Sequence, residues 1–239
     1  MVNRILDAIF PNNCILCSTR CSNGYPVCPQ CLSGLTPNTI CCTGCALPLT
    51  HAATDAPARI CANCVIEKPP YSRVIAPWVY DEQMAYLIHR WKFNKERRLT
   101  PLLAMLWLER FPASAAVDMI VPVPLHWLRL CQRGFNQSEL LCHQLRAQCP
   151  DLKNVTLKTN LARRSRITRS QAALKVTARE RNLIGAFNIR LPCRGRKIAI
   201  VDDVMTTGST AAELASALLG AGASSVEVWC LARTPAPAI

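Results

Sequence analysis

No stretch of this chain holds the ~18 consecutive apolar residues that a membrane-spanning helix requires, so no membrane span is expected. The opening Met1-Val2-Asn3-Arg4-Ile5-Leu6-Asp7-Ala8-Ile9-Phe10 is too short and too broken by charge for the apolar part of an export signal. It reads as a short amphipathic helix, and a cytoplasmic address is expected. Gly-x-x-x-x-Gly-Lys is missing, which excludes that type of nucleotide loop. His89, His126 and His143 stand in no recognisable acid–base constellation. Acids are scarce: 15 Asp and Glu face 28 Lys and Arg, a formal net charge of +13 over 239 residues. That imbalance speaks about partners and solubility rather than fold. Apolar residues are not scarce. They make up 50% of the chain, enough for one sizeable core and a small module.

The basic residues gather in two places. One is His89–Arg98. The other runs from Lys158 to Lys197 and includes Arg163, Arg164, Arg166, Arg169 and Arg179, with Glu180 as its one acid. Such a stretch is either a solvated basic surface, a set of arginines that meet phosphates of a small ligand, or a nucleic-acid path.

Ten of the 15 cysteines precede Tyr71. Eight form Cys-x-x-Cys pairs: Cys14 with Cys17, Cys28 with Cys31, Cys42 with Cys45, and Cys61 with Cys64. Two thiolates two residues apart reach one Zn²⁺ from a tight turn, and two such turns complete a tetrahedron. A disulfide framework would need an oxidising compartment, for which no export signal is visible. Sequential pairing gives two zinc sites; crossed pairing, or a single surviving site, satisfies the same spacing. Cys21 and Cys41 are spare thiols, and His51 reads as a loop residue. Few large apolar residues occur here, so metal is expected to supply the folding energy. Lys68-Pro69-Pro70-Tyr71 then reads as a linker, because consecutive prolines stop a helix.

After it, Arg73–Tyr80 reads as a strand. Asp81 caps a helix whose apolar positions Met84, Leu87, Ile88 and Trp91 fall at helical spacing. Thr100-Pro101 is a cap plus first-turn proline for a helix through Phe111. Asp118–Leu125 is a strand that must leave the sheet at Pro122–Pro124, since a central strand tolerates proline badly. Arg129 and Arg133 follow in a turn. Asn136 caps a helix over Gln137–Gln148. A turn, two arginines and a helix start make an anion site.

The richest segment is Ile198–Thr210. Ile198-Ala199-Ile200-Val201 reads as a buried parallel strand ending at Asp202 and Asp203, on the sheet edge where open α/β folds bind ligands. Thr206, Thr207, Gly208, Ser209 and Thr210 carry little bulk, so their N–H and O–H groups can close around an anion. Thr210-Ala211-Ala212-Glu213 has a capping-box pattern for a helix over Ala211–Leu219. This order of parts holds a sugar phosphate.

The segment resembles the phosphoribosyl pyrophosphate (PRPP) motif of type I phosphoribosyltransferases. Together with Val121-Pro122-Val123-Pro124, Arg133-Gly134-Phe135-Asn136-Gln137, Arg169-Ser170-Gln171, Arg181-Asn182 and Ala186-Phe187 it resembles the ComF family, and the paired cysteines fit that family's double zinc ribbon. The likeness spans nearly the whole chain. It implies an α/β fold: a type I phosphoribosyltransferase-like parallel sheet flanked by helices, behind a small N-terminal zinc-ribbon module. The expected division is 1–68 for the ribbon and 71–239 for the body, with a hood-like segment over 71–115 and a core over 116–234.

The resemblance also implies roles. Asp202 and Asp203 would hold the ribose hydroxyls, directly or around Mg²⁺ that arrives with PRPP. Thr206, Thr207, Gly208, Ser209 and Thr210 would cradle the 5′-phosphate, with Val204 and Met205 counted in the same PRPP-binding run. Leu125, His126, Arg129 and Arg133 would take the pyrophosphate. Arg163, Arg164, Arg166, Arg169, Gln171 and Arg179 would form a closing loop or a nucleic-acid path. Three functions follow: a PRPP-binding protein of DNA uptake, processing or utilization that binds single-stranded DNA; an active phosphoribosyltransferase on an unknown acceptor; or a zinc-module adaptor that recruits a DNA-uptake helicase or recombination partner.

Overall fold

The computed structural model describes residues 13–21, 25–49, 59–110, 116–165 and 185–236. The expected Met1–Phe10 helix, His51, Phe111 and residues 166–184 of the second basic stretch lie outside them. In chain order the described strands are β1 Arg73–Ile75, β2 Trp78–Val79, β3 Met119–Pro122, β4 Thr156–Leu157, β5 Ala162–Arg164, β6 Phe187–Ile189, β7 Lys197–Met205 and β8 Ser225–Arg233. The α-helices are α1 Pro29–Ser33, α2 Ala62–Ile66, α3 Glu82–Phe93, α4 Thr100–Leu108, α5 Trp127–Arg133, α6 Gln137–Gln148 and α7 Ser209–Gly220.

The main sheet runs β1-β8-β7-β3-β4, with β2 also beside β8, and every pairing in it is parallel. Side chains alternate between its faces, as strand geometry demands. Ile120, Ala199, Val201, Trp229 and Leu231 face one core, with the apolar sides of α3, α4 and α6. Val121, Ile198, Ile200, Val228 and Cys230 face the other, with α7 and the antiparallel β5–β6 pair. The α/β class, a parallel sheet flanked by helices, is therefore as expected.

Local signals explain most boundaries. Asp81 Oδ1 accepts from the Met84 N–H at 2.9 Å and starts α3. Its stripe of Met84, Leu87, Ile88 and Trp91 is at most 1% exposed, each side chain contributing about 2 kcal/mol by leaving water. Asn136 caps α6 by accepting from the Ser138 N–H. Pro122 ends β3, and the chain departs toward α5. Among the described residues, no helix is long and apolar enough to cross a membrane.

Several boundaries differ from expectation. The Arg73–Tyr80 strand is two short strands, because Pro77 has no N–H to donate and the chain kinks there. Thr100 does not cap α4: a 3₁₀ turn over Arg97–Leu99 precedes it, and Thr100 Oγ1 instead accepts from Trp91 Nε1 and donates to the Arg97 carbonyl. The turn after Pro124 is a short helix, α5, closed by Gly134 at φ +77°. The central strand β7 runs through both aspartates to Met205 rather than ending at them, since β8 continues beside it as far as Arg233.

The cysteine-rich segment joins both cores. Cys14, Val27, Cys28 and Leu35 pack with the α3–α4 side, and Cys42, Cys45, Ala46 and Cys61 with the α7 side. Thr36–Asn38 lies against the β2 region between them. Val79 N donates to Thr36 O at 2.9 Å, Asn38 N to Pro77 O at 2.8 Å, and Asn38 Nδ2 to Ala76 O at 3.0 Å. Tyr71, the end of the expected linker, is buried.

Candidate functional site

The carboxyl end of β7, the segment after β3, the start of α6 and the end of α3 meet around one cavity of about 530 Å³, a usual size for a small-molecule site. All nine residues from Asp202 to Thr210 line it. Leu125, Arg129 and Arg133 line it from α5 and the segment before it, and Lys92 and Phe93 from the last turn of α3.

The two aspartates have different surroundings. Asp203 is buried, and its Oδ2 accepts from Lys92 Nζ and Gln137 Nε2, both at 2.8 Å. Asp202 is half-buried; its Oδ1 accepts from Ser138 Oγ at 3.2 Å and from the Asp203 N–H at 2.9 Å. Burial, with the Asp203 charge beside it, pushes the Asp202 carboxyl up to about 7. Gln137 Oε1 is buried without a donor among the described residues. It is therefore an acceptor that a ligand hydroxyl can satisfy.

The loop after β7 turns at Gly208, whose φ of +86° suits glycine. A Cβ there would lie 2.6 Å from Met205 Cε. Thr207 Oγ1 accepts from the Ser209 N–H and lies 2.8 Å from Ser209 Oγ. α7 begins at Ser209 with Gly208 as its cap, two residues before the expected start. The Thr210–Glu213 capping box does not form, and Glu213 instead accepts from the Gly185 N–H. The loop thus opens a twelve-residue helix, an arrangement whose free N–H groups favour a bound phosphate.

Arg129, Arg133 and Arg164 also line the cavity. Burial lowers the pKa of the Arg133 guanidinium, and does the same for Arg164, where Arg129 adds repulsion. Cations held short of water beside one another favour an anion between them. Arg164 lines the cavity from β5, with its guanidinium over the Phe187 ring, so it sits on a strand and not in a loop; Arg163 on the same strand is exposed. Arg166, Arg169, Gln171 and Arg179 lie outside the described residues. His126 does not line the cavity. Its ring is buried, and Nδ1 accepts from the Leu128 N–H at the start of α5.

The cysteines assemble sequentially. Cys14, Cys17, Cys28 and Cys31 form one cluster and Cys42, Cys45, Cys61 and Cys64 the other, each with all ligand atoms within 4.8 Å of one another. A tetrahedral Zn–S bond near 2.3 Å requires sulfurs about 3.8 Å apart; Cys17–Cys28 and Cys45–Cys61 are both 3.6 Å apart. Both clusters therefore fit structural zinc. Cys21 and Cys41 belong to neither.

Three contributors were not singled out from sequence. Gln137 and Ser138 look like ordinary helix-start residues. Arg233 ends β8 outside any motif. It is buried, donating from Nε to Cys45 O at 3.1 Å and from one terminal nitrogen to the Met205, Thr206 and Thr234 carbonyls. Its one sequence signal is a lone charge closing an apolar run.

A double zinc ribbon domain matches residues 5–65. The chain is 38% identical over 234 residues to DNA utilization protein YhgH of Escherichia coli, spanning 94% of this chain and 98% of that one. It is 34% identical over 185 residues to competence protein F of Haemophilus influenzae, spanning 74% and 79%. Among solved structures, a purine phosphoribosyltransferase from Pyrococcus horikoshii matches at 16% identity and a TM-score of 0.29, spanning 70% of this chain and 82% of that one.

Proposed function

Because the chain belongs to the family of DNA utilization protein YhgH and competence protein F, we propose that it binds PRPP and single-stranded DNA and acts in the uptake, processing or utilization of external DNA. One observation carries the PRPP reading. The whole Asp202–Thr210 run lines a single cavity, with Arg129, Arg133 and Arg164 on its other walls. Each part matches one portion of the ligand. Asp202 and the unsatisfied Gln137 oxygen accept ribose hydroxyls. The Thr206–Thr210 loop and the start of α7 take the 5′-phosphate. The arginines take the pyrophosphate, for which guanidinium forks are suited.

Mg²⁺ would enter with the pyrophosphate oxygens rather than in a protein cage, with Asp202 as the nearest carboxylate not already held by a cation. Lys92 holds Asp203 in place and closes the cavity from α3. In a transfer reaction the protein would orient the sugar and stabilise departing pyrophosphate, and no protein nucleophile is required. The single-stranded DNA part rests on the formal charge of +13 and on the family's names.

Calorimetric titration with PRPP, with and without Mg²⁺ and a single strand, tests this reading. Binding is expected for the native chain and lost when Asp202→Asn is combined with Asp203→Asn. A flat titration in every arm would defeat the PRPP reading. Pyrophosphate release measured alongside separates binding from turnover.

A further inference from the structure

The two helices that frame the cavity mouth leave aromatic rings in solvent. Of the five tryptophans, Trp78, Trp91, Trp107 and Trp229 are at most 4% exposed. Each of those four indoles also donates a hydrogen bond: to Leu106 O, Thr100 Oγ1, Cys230 O and Glu227 Oε2 respectively. Trp127, the first residue of α5, is 60% exposed, and Phe93, the last of α3, is 57% exposed. Trp127 is thus the one of the five indoles left in solvent.

The last turns of α3 and α5 meet, and Trp127 opens the same seven-residue α5. The Arg133 guanidinium lies 5.1 Å from the Phe93 ring centre. Arg97 lies 4.8 Å from the Phe135 ring centre and donates to the Gly134 carbonyl at 2.9 Å. The surface is cationic. Its acid, Glu96, is taken up by Arg90 and Arg98, and Lys95, Arg97 and Arg129 add positive charge.

Rings interleaved with guanidiniums fit one class of partner. A single-stranded nucleic acid offers unstacked bases to the rings and phosphates to the arginines. A duplex keeps its bases stacked within and cannot use the rings. An acidic protein would use the charges but has no general need of exposed indole. We propose that single-stranded nucleic acid lies across Phe93, Trp127 and Arg133, along the rim of the phosphate cavity. This rests on the reading that the chain binds single strands, and it places that binding at α3 and α5 rather than on the Lys158–Lys197 stretch.

Trp127 is the solvent-exposed indole among the described residues, so the native chain carries its own probe. Oligothymidylate is titrated into the full chain while tryptophan emission and the anisotropy of a labelled strand are read together. The expected result is quenching of the red side of the emission in step with anisotropy. Trp127→Leu should abolish the quenching and weaken binding about tenfold, as should Phe93→Leu. Arg133→Ala should lower the salt slope by about one counterion. Trp127→Leu should keep its melting temperature and its PRPP affinity, because that side chain is exposed and does not line the cavity.

If the native chain binds the strand with unchanged emission, and Trp127→Leu binds equally well, the strand lies elsewhere and this placement falls while the DNA reading stands. If the native chain binds no strand, both fall. A concentration-dependent blue shift of the emission without DNA would show the face covered by a second copy and would also overturn the placement.

Discussion

Arg233 Nε donates to the carbonyl of Cys45 at 3.1 Å. Cys45 belongs to the second cysteine cluster, and the same guanidinium holds the Met205 and Thr206 carbonyls at the root of the loop after β7. One buried cation therefore ties a cysteine cluster to the loop after β7. Arginine suits the position because it stays charged when buried and presents several donors in a rigid fork.

Replacing Arg233 by Met should cost about 2–3 kcal/mol, the scale of lost hydrogen bonds to a charged group. The denaturation midpoint should fall with an unchanged slope, and amide exchange should quicken over Thr206–Ser209. Loop protection equal to that of the native chain would refute the tie.

The chain should carry about two zinc ions, one for each four-cysteine cluster. Cys21→Ser and Cys41→Ser should leave that stoichiometry intact, and Cys42→Ser should remove one ion. Because the clusters belong to the two cores of the sheet, a strong chelator should melt the body as well as the ribbon. Metal analysis beside a thermal melt reads both. A chelated chain whose near-ultraviolet tryptophan signal survived would contradict the shared cores.

Stability should depend on pH in an unusual direction. Burial and Asp203 raise the Asp202 carboxyl from 3.8 to about 7. Between those values the folded protein keeps a proton that the unfolded chain has released, so rising pH favours unfolding. Stability should fall between about pH 4 and pH 7, on the order of 1 kcal/mol per pH unit, and level off above. Asp202→Asn should remove the slope. PRPP affinity should move the opposite way, rising through pH 7 as the carboxylate becomes a full acceptor. Affinity that is flat from pH 6 to pH 8 would remove Asp202 from the contact.

Gly208→Ala should destabilise by roughly 1–2 kcal/mol, because alanine is strained at φ +86°. Its Cβ would also displace Met205 Cε and touch the Tyr71 hydroxyl, 3.4 Å away. Phosphate-ligand affinity should drop with it. A folded variant with native affinity would show that the anion does not sit in this loop.

Much of this was legible because it is local. Asp81 and Asn136 cap their helices through contacts two or three residues away, so the residue types alone announce them. The cysteine pairs declare metal chemistry because a Cys-x-x-Cys turn suffices to offer two ligands. The Asp202–Thr210 run reads directly because one strand, one loop and one helix build it in sequence order.

The failures are equally physical. Thr210–Glu213 has the letters of a capping box, but the left-handed turn at Gly208 starts the helix two residues earlier and leaves Glu213 to Gly185. His126 belongs by position to the anion turn, yet its ring caps α5.

Sequence thus determined the parts: the paired cysteines, the small-residue loop after Asp203, the apolar faces and the excess of positive charge. Tertiary structure decided what meets what. Lys92 and Gln137 reach Asp203 across separations of 111 and 66 residues, and Arg233 reaches Cys45 across 188. Such contacts have no period and no fixed spacing. They exist because parallel strands bring distant segments to one sheet edge, where a buried polar group must find its partner or forfeit the energy of its desolvation.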